Sequence, residues 1–477
     1  MRSRTRRAYT LALGLGTAAL VLACAREGEP PATPAPRGAA PAEDTPAAIE
    51  IELGPPRGSL GCEPGGDDDR LDAALAEASE RAGAGREVAV IVRHRHALCR
   101  SHRLPSGVAL VGVAGGGFVQ TSPATNLLEL DRVHDVEVRG LALALADEAG
   151  SHAAGGMAKA ITVFSSSSIA IRDNAIHGGK FAIFLADSDI GSLAEVPDPD
   201  APCSLAPANR DVVIEANRID DTESSGLVVH ALERGRIAAN LIRGSRRQDG
   251  IKMTCGPIRE VVVAHNILAD NARDGLDVAW LAVEGAGEFR DNELRANLAI
   301  GNHLQGLELK STQSCASGGD RLAIGSGAIV DNLALNNGGY GLALQKVYAP
   351  GSCDANETKL EIRGNVLWSD GGDPHRGGLS VNDCRNLRFV DNPIWGYALD
   401  EACAAWRCSK RARDCVAADD PRAAELPLHF ACDVALRGDS SAHLEFIDDR
   451  HRFAVAAGSD GVARPVPERE HPEARPP

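Results

Sequence analysis

Two lysines, two carboxylates and a histidine recur at matching places in a repeated tetrapeptide, and that set of groups can move protons. The tetrapeptide runs Gly226-Leu227-Val228-Val229, Gly250-Ile251-Lys252-Met253, Gly275-Leu276-Asp277-Val278, Gly306-Leu307-Glu308-Leu309, Gly341-Leu342-Ala343-Leu344 and Gly378-Leu379-Ser380-Val381. Its third residue reads Val228, Lys252, Asp277, Glu308, Ala343, Ser380; two residues later come His230, Thr254, Ala279, Lys310, Gln345 and Asn382. Lys252 or Lys310 could serve as a base and His230 as an acid, while Asp277 and Glu308 could hold a cation or work as a carboxylate pair. Asp277, Glu308 and Gln345 are the candidate substrate-binding residues. A plainer reading stands beside this one: a solvated sheet carries opposite charges on neighbouring strands anyway, and an aspartate beside Lys252 would keep that lysine protonated.

The elements that must position these groups are strands. Within each tetrapeptide the second and fourth residues are aliphatic and the third varies, so the former face inward and the latter outward. Between the tetrapeptides an asparagine recurs at Asn174, Asn217, Asn240, Asn266, Asn292, Asn332, Asn365 and Asn392, each with an apolar residue three positions earlier. The spacing is 23 to 27 residues, stretched to 33 to 43 where loops intrude. Such a period means that each unit cannot bury its own apolar face and must stack on its neighbours. A unit this short has no room for a helix and its crossover, which excludes a βαβ design. Asparagine suits the turn because it tolerates the left-handed region and its amide can bond to identical amides in the coils above and below. In a parallel stack, equivalent residues lie ~4.8 Å apart, so the outward positions form columns.

On these motifs the chain resembles the right-handed parallel β-helix superfamily of pectate lyases, alginate lyases and mannuronan C5-epimerases, over roughly residues 60 to 400. The resemblance implies an all-β, single-stranded solenoid with an N-terminal capping helix, which the stretch from Leu71 to Ala78 would supply before a strand at Val88-Ala89-Val90-Ile91-Val92. It also implies a polysaccharide partner. Lyases and epimerases of this kind abstract a proton beside a uronate carboxylate, which calls for a base such as Lys252 or Lys310 and a neutraliser such as calcium held by Asp277 and Glu308. The tetrapeptide Asp373-Pro374-His375-Arg376 looks like the Asp-Pro-His-Asp motif of the epimerases but ends in arginine. The alternative is a non-catalytic surface module that binds glycan or protein partners.

The N-terminus adds an address. Arg2, Arg4, Arg6 and Arg7 precede an apolar run from Leu11 to Ala23 that is too short to span a bilayer. It ends Val21-Leu22-Ala23-Cys24, similar to the bacterial lipoprotein signal. That likeness implies lipidation of Cys24 and a place in the cell envelope, at the outer membrane or cell surface, with the lipid as the sole membrane contact. The organisation expected is a signal peptide over 1–23, a Pro- and Ala-rich unfolded tether over 24–58, the β-helix over 59–400, a Cys-rich cap over 401–457 and a disordered tail over 458–477.

Eleven cysteines follow Cys24, and in an exported chain most should pair, for instance Cys62 with Cys99; the odd number leaves one over. Cys403, Cys408, Cys415 and Cys432 are spaced as staples of a cap rather than as a zinc site, since no Cys-x-x-Cys pair occurs among them. The net charge of −16, which becomes −20 without the four leader arginines, repels nucleic acid and draws cations. An acidic polysaccharide would need a local basic patch against this field. Aromatic residues are only 4% of the chain, so stacking platforms for sugars are scarce, with Trp280, Tyr340 and Tyr348 near the tetrapeptide strands.

Overall fold

The structure, a computed structural model, describes residues 49–395 apart from 57–62, 85–86, 123–125, 146–157, 188–207, 255, 281–287, 312–322, 325–326, 346, 348–359, 369–376, 383, 385–386 and 393. Beyond these it describes the strands Val434–Arg437, Leu444–Ile447, Arg452–Ala457 and Ala463–Pro467.

Each coil contributes one strand to each of three sheets, of 17, 11 and 11 strands. A representative coil runs Leu227–Val229, then Leu232–Ala238, then Leu241–Arg243, before Ile251–Met253 opens the next. Neighbouring coils pair in parallel at every step, as in Val228 with Lys252, Ile237 with Val263 and Ile242 with Leu268. The fold is a right-handed parallel β-helix. Its interior is one continuous column of aliphatic side chains, among them Leu227, Val229, Ile237, Ile242, Ile251 and Val263, all fully buried. Each such side chain is worth roughly 1.5–3 kcal/mol of burial, and alternation along the strands aims every second residue at that column.

The asparagine ladder is present with one substitution and one shift of role. Side-chain amides bond in file from Asn174 through Asn217, Asn240, Asn266, Asn297, Asn332 and Asn365 to Asn392, with Nδ2 to Oδ1 distances of 2.8–3.0 Å. Asn297 takes the rung expected of Asn292. Asn292 lies in the strand Asn292–Arg295, where its Oδ1 accepts the Val261 N–H and its Nδ2 donates to the Ile258 carbonyl, both at 2.9 Å. The left-handed residue of each turn is not the asparagine but the one before it: Asp173, Ala216, Ala239, His265, Ala296, Asp331, Gly364 and Asp391 all have φ between 47° and 66°. Asparagine is therefore chosen for its amide, which satisfies a buried N–H and a carbonyl of the neighbouring coil, as Asn266 does for the Asn240 N–H and the Ile237 carbonyl. A second ladder joins Asn271, Asn302 and Asn337 at 2.9 Å, four residues ahead of Gly275, Gly306 and Gly341. Those glycines have a steric reason: a Cβ on Gly275 would stand 2.6 Å from the Gly306 carbonyl oxygen and 2.9 Å from Asn302 Nδ2.

The N-terminal end is covered by α1, Asp67–Ala82, which buries Leu71, Ala74, Leu75 and Ala78. Its first turn is tied to the coil by His102, whose Nδ1 and Nε2 lie 2.7 Å from Asp72 and Asp68, and Asp68 also accepts the Cys99 N–H at 3.2 Å. The strand Ile49–Leu53 corrects the expected tether: it pairs in parallel with Val88–Val92, so the ordered stack begins within the segment 24–58. At the other end the stack runs past residue 400. Val434–Arg437 and Leu444–Ile447 continue it in parallel, and Arg452–Ala457 with Ala463–Pro467 finish it as antiparallel strands inside the expected cap and tail. Cys62, Cys315, Cys353, Cys403, Cys408, Cys415 and Cys432 lie outside the described residues, as do Cys24 and its leader.

Candidate active site

The column read from the tetrapeptides is real in its register. Phe184, Val228, Lys252, Asp277, Glu308, Ala343 and Ser380 pair one to the next across seven strands, and Ala279, Lys310, Gln345 and Asn382 pair beside them. Its exposure is the surprise. Asp277 is fully buried, Glu308 nearly so, and the side chains of Lys252 and Lys310 are 11% and 26% exposed. The expectation of a solvent-exposed charged face is thus corrected to a recessed one.

Two further carboxylates explain this. Asp249 and Asp274 sit immediately before Gly250 and Gly275, at the bend where each coil enters the sheet, and both are fully buried. One oxygen from each of Asp249, Asp274 and Asp277 falls within 4.8 Å of the others. Lys252 Nζ bridges Asp249 at 3.3 Å and Asp277 at 3.2 Å. Lys310 Nζ lies 3.2 Å from Asp277 and bonds to Glu308. Backbone amides fix the aspartates in turn: Asp249 accepts the Asp274 N–H at 3.1 Å, and Asp274 accepts the Gln305 N–H at 2.7 Å. The other oxygen of Asp274, Oδ2, is buried without a hydrogen-bond partner.

The electrostatics follow from crowding. Burial, reinforced by Asp249, Asp277 and Glu308, pushes the Asp274 carboxyl up to about 8, so it keeps its proton at neutral pH. Asp249 is raised as well, by burial and then by Asp277. Burial works to lower Lys310, but Asp277 and Glu308 outweigh it and raise the ammonium above its ordinary value. Lys310 is held protonated and is not a base. His230 is pushed down to about 4 by burial and by Lys252, and its ring packs edge-on against Phe184 at 5.2 Å. Both shifts run against the acid and base roles expected of these two side chains.

Of the candidate residues, the structure joins Lys252, Asp277, Glu308 and Lys310 into one network with Asp249 and Asp274. His230 stands beside it among aromatic rings. Gln345 lies one strand beyond Lys310, half-buried, with no side-chain hydrogen bond among the described residues. Tyr340 is buried. Tyr348 and the Asp373-Pro374-His375-Arg376 stretch lie outside the described residues, as does the Trp280 side chain. The overlooked signal was the Asp-Gly pair at 249–250 and 274–275: face alternation assigns no direction to a residue at a bend, so two acids went unread.

These six groups can transfer protons between a carboxylic acid and carboxylates, and they can bind an anion or polar sugar hydroxyls through the two ammonium groups. The aspartates also make a donor set for a hard cation, in which the unbonded Asp274 Oδ2 would find a partner.

No family model and no curated protein matches the chain. Among solved structures it is similar to a mutant tailspike protein of E. coli bacteriophage HK620 in complex with pentasaccharide, at 10% identity and a TM-score of 0.51, over 71% of this chain and 62% of the tailspike. It is similar also to the A-module of a mannuronan C-5 epimerase from Azotobacter vinelandii, at 12% identity and a TM-score of 0.49, over 72% of this chain and 93% of that one. An exopolygalacturonase from Thermotoga maritima matches at 12% identity and a TM-score of 0.47, over 74% and 93% of the two chains. These likenesses are of fold.

Proposed function

We propose that this chain is a carbohydrate-active protein that cleaves a glycosidic bond at the Asp249, Asp274, Asp277 cluster. The observation that carries the reading is Asp274, fully buried beside Asp249 and Asp277 with its Oδ2 unbonded, where burial and then the neighbouring carboxylates push its carboxyl up to about 8. In this reading a bound glycan displaces the side chains that cover the fully buried aspartates, Asp274 then donates a proton to the glycosidic oxygen, and Asp277 or Asp249 acts as the paired carboxylate; their closeness suits a retaining rather than an inverting separation. Lys252 and Lys310 then orient the carboxylates and meet negative charge on the sugar. Elimination or epimerisation through a lysine base is disfavoured, because Lys310 is held protonated and Lys252 is bound to two carboxylates. Calcium at Asp277 with Asp249 or Glu308 remains a proposal for the same donor set. Support from the fold is by analogy, since structurally similar proteins act on or bind glycans by name.

A second reading is a non-catalytic surface module, and one observation favours it: the three aspartates are sealed beneath Lys252 and Glu308, as in an ionic network that merely fastens three coils. Digestion of a panel of acidic and neutral polysaccharides separates the readings. New reducing ends without unsaturated product support hydrolysis, unsaturated product supports elimination, and retention of an unchanged glycan supports binding alone. We propose further that the protein is held at the cell envelope by lipid on Cys24, that Cys62 pairs with Cys99, and that nucleic acid is not a partner.

A further inference from the structure

The sheet that carries the cluster continues toward the N-terminal end as a different surface. Phe184 lies three strands from Asp277, through Val228 and Lys252, or ~14 Å along the stack. Around it gather Phe164, Phe181 and Val228, an apolar group on the outer side of the sheet and separate from the main core. Into this group projects Lys159, from the strand Lys159–Phe164; only 3% of the residue is exposed, and Nζ stands 5.0 Å from the centroid of the Phe184 ring.

The Lys159 side chain has no hydrogen bond and no ion pair among the described residues. The carboxylate whose charge it feels is Glu129, which is occupied by Asn126 Nδ2 at 2.9 Å and by Arg103 at 3.7 Å. A buried ammonium without a counter-ion is unfavourable, and an aromatic face offsets only part of that cost. Burial and the neighbouring Lys180 lower it to about 8, which measures how poorly it is compensated. The placement of lysine is itself selective. The chain has seven lysines against 43 arginines, and Lys159, Lys252 and Lys310 lie in strands of this one sheet, with Lys180 immediately before a fourth. Lys252 and Lys310 are already paired with Asp249, Asp277 and Glu308, whereas the Lys159 ammonium has no carboxylate partner among the described residues.

We propose that Lys159, seated on the Phe184 ring, is a subsite for the carboxylate of an anionic sugar, so that a glycan lying along the stack places one acidic residue here while another reaches the aspartate cluster. This rests on the glycan reading of the cluster and narrows it to acidic polysaccharides. The arriving carboxylate would supply the Lys159 ammonium with a counter-ion, while the Phe184 ring, itself only 6% exposed, holds that ammonium in place. Lysine fits the task better than arginine, because its compact charge can be partly relinquished while the subsite is empty.

The test uses the full chain with isotope-labelled lysine, whose few side-chain signals are separable by NMR. The probes are oligogalacturonate, oligomannuronate and the carboxyl-reduced form of each. An acidic probe should move the Lys159 signal and raise its titration midpoint, and its reduced counterpart should do neither. Lys159→Gln should weaken the acidic probe about tenfold and leave the reduced one unchanged. If acidic probes move Lys252 and Lys310 but not Lys159, the subsite falls and the glycan reading stands. If reduced probes bind as tightly as acidic ones, the subsite likewise falls alone. If no probe moves any lysine, both fall.

Discussion

Replacing Asn266 by leucine removes four hydrogen bonds from the middle of the asparagine ladder. Its Oδ1 accepts the Asn240 backbone N–H at 3.0 Å and Asn240 Nδ2 at 2.9 Å, while its Nδ2 donates to the Ile237 carbonyl and to Asn297 Oδ1, both at 2.9 Å. Two of the partners keep a second contact: Asn240 Nδ2 still reaches the Ile214 carbonyl, and Asn297 Oδ1 still accepts the Asn266 N–H. The Asn240 N–H keeps none and is buried. At about 1 kcal/mol per bond, with the higher end applying to the orphaned N–H, the loss comes to about 4 kcal/mol. The turn itself should survive, because its left-handed residue is His265 and not Asn266. The assay is urea unfolding with hydrogen exchange at the Asn240 amide. A large drop in midpoint with accelerated exchange there is expected; a loss below ~0.5 kcal/mol with protection intact would refute the ladder as a source of stability.

The other expectations follow from the same geometry. Ala239→Gly should stabilise the fold by about 0.5–1 kcal/mol, since Ala239 has φ 55° and glycine adopts that conformation without the Cβ cost; an unchanged or lowered thermal midpoint would contradict this. Asp274→Asn should flatten the dependence of stability on pH. A carboxyl whose folded pKa is raised to about 8 binds a proton that the unfolded chain has released above about 4, so wild-type stability should fall between those values and the variant's should not. Parallel pH–stability curves for the two proteins would show that Asp274 titrates normally. Cys24→Ser should move the chain from the membrane fraction to the soluble one in a detergent-phase partition, and retention of the variant in the detergent phase would count against a lipid anchor there.

The solenoid was legible because its determinants are local and repeated: a small residue where coils touch, two aliphatic residues on one strand face, an amide at each turn. Errors arose where one local pattern fits two positions. Phe289 stands three residues before Asn292 as the repeat demands, yet Asp291 with φ 56° divides Glu288–Arg290 from Asn292–Arg295, and the ladder passes through Asn297 one turn later. The left-handed role was likewise assigned one residue too late, because composition reports that a turn contains asparagine but not which residue bends. The site was half legible. Lys252, Asp277, Glu308 and Lys310 follow from strand register, whereas Asp249 and Asp274 occupy bends, and their burial depends on contacts between coils that no single repeat contains. Ile49–Leu53 was hidden by the Pro-rich composition around it, though its own alternation matches the strand Val88–Val92 beside which it lies.

The central claim, that Asp274 is the proton donor of a glycan-cleaving site, is tested most directly by the pH dependence of kcat/KM on a polysaccharide substrate. If the protonated carboxyl is required, the rate falls as pH rises through about 8, and Asp274→Asn loses at least a hundredfold in rate with no fall in its thermal midpoint. A rate that climbs above pH 8, as a lysine base would give, or an Asp274→Asn protein with wild-type turnover, would contradict the account.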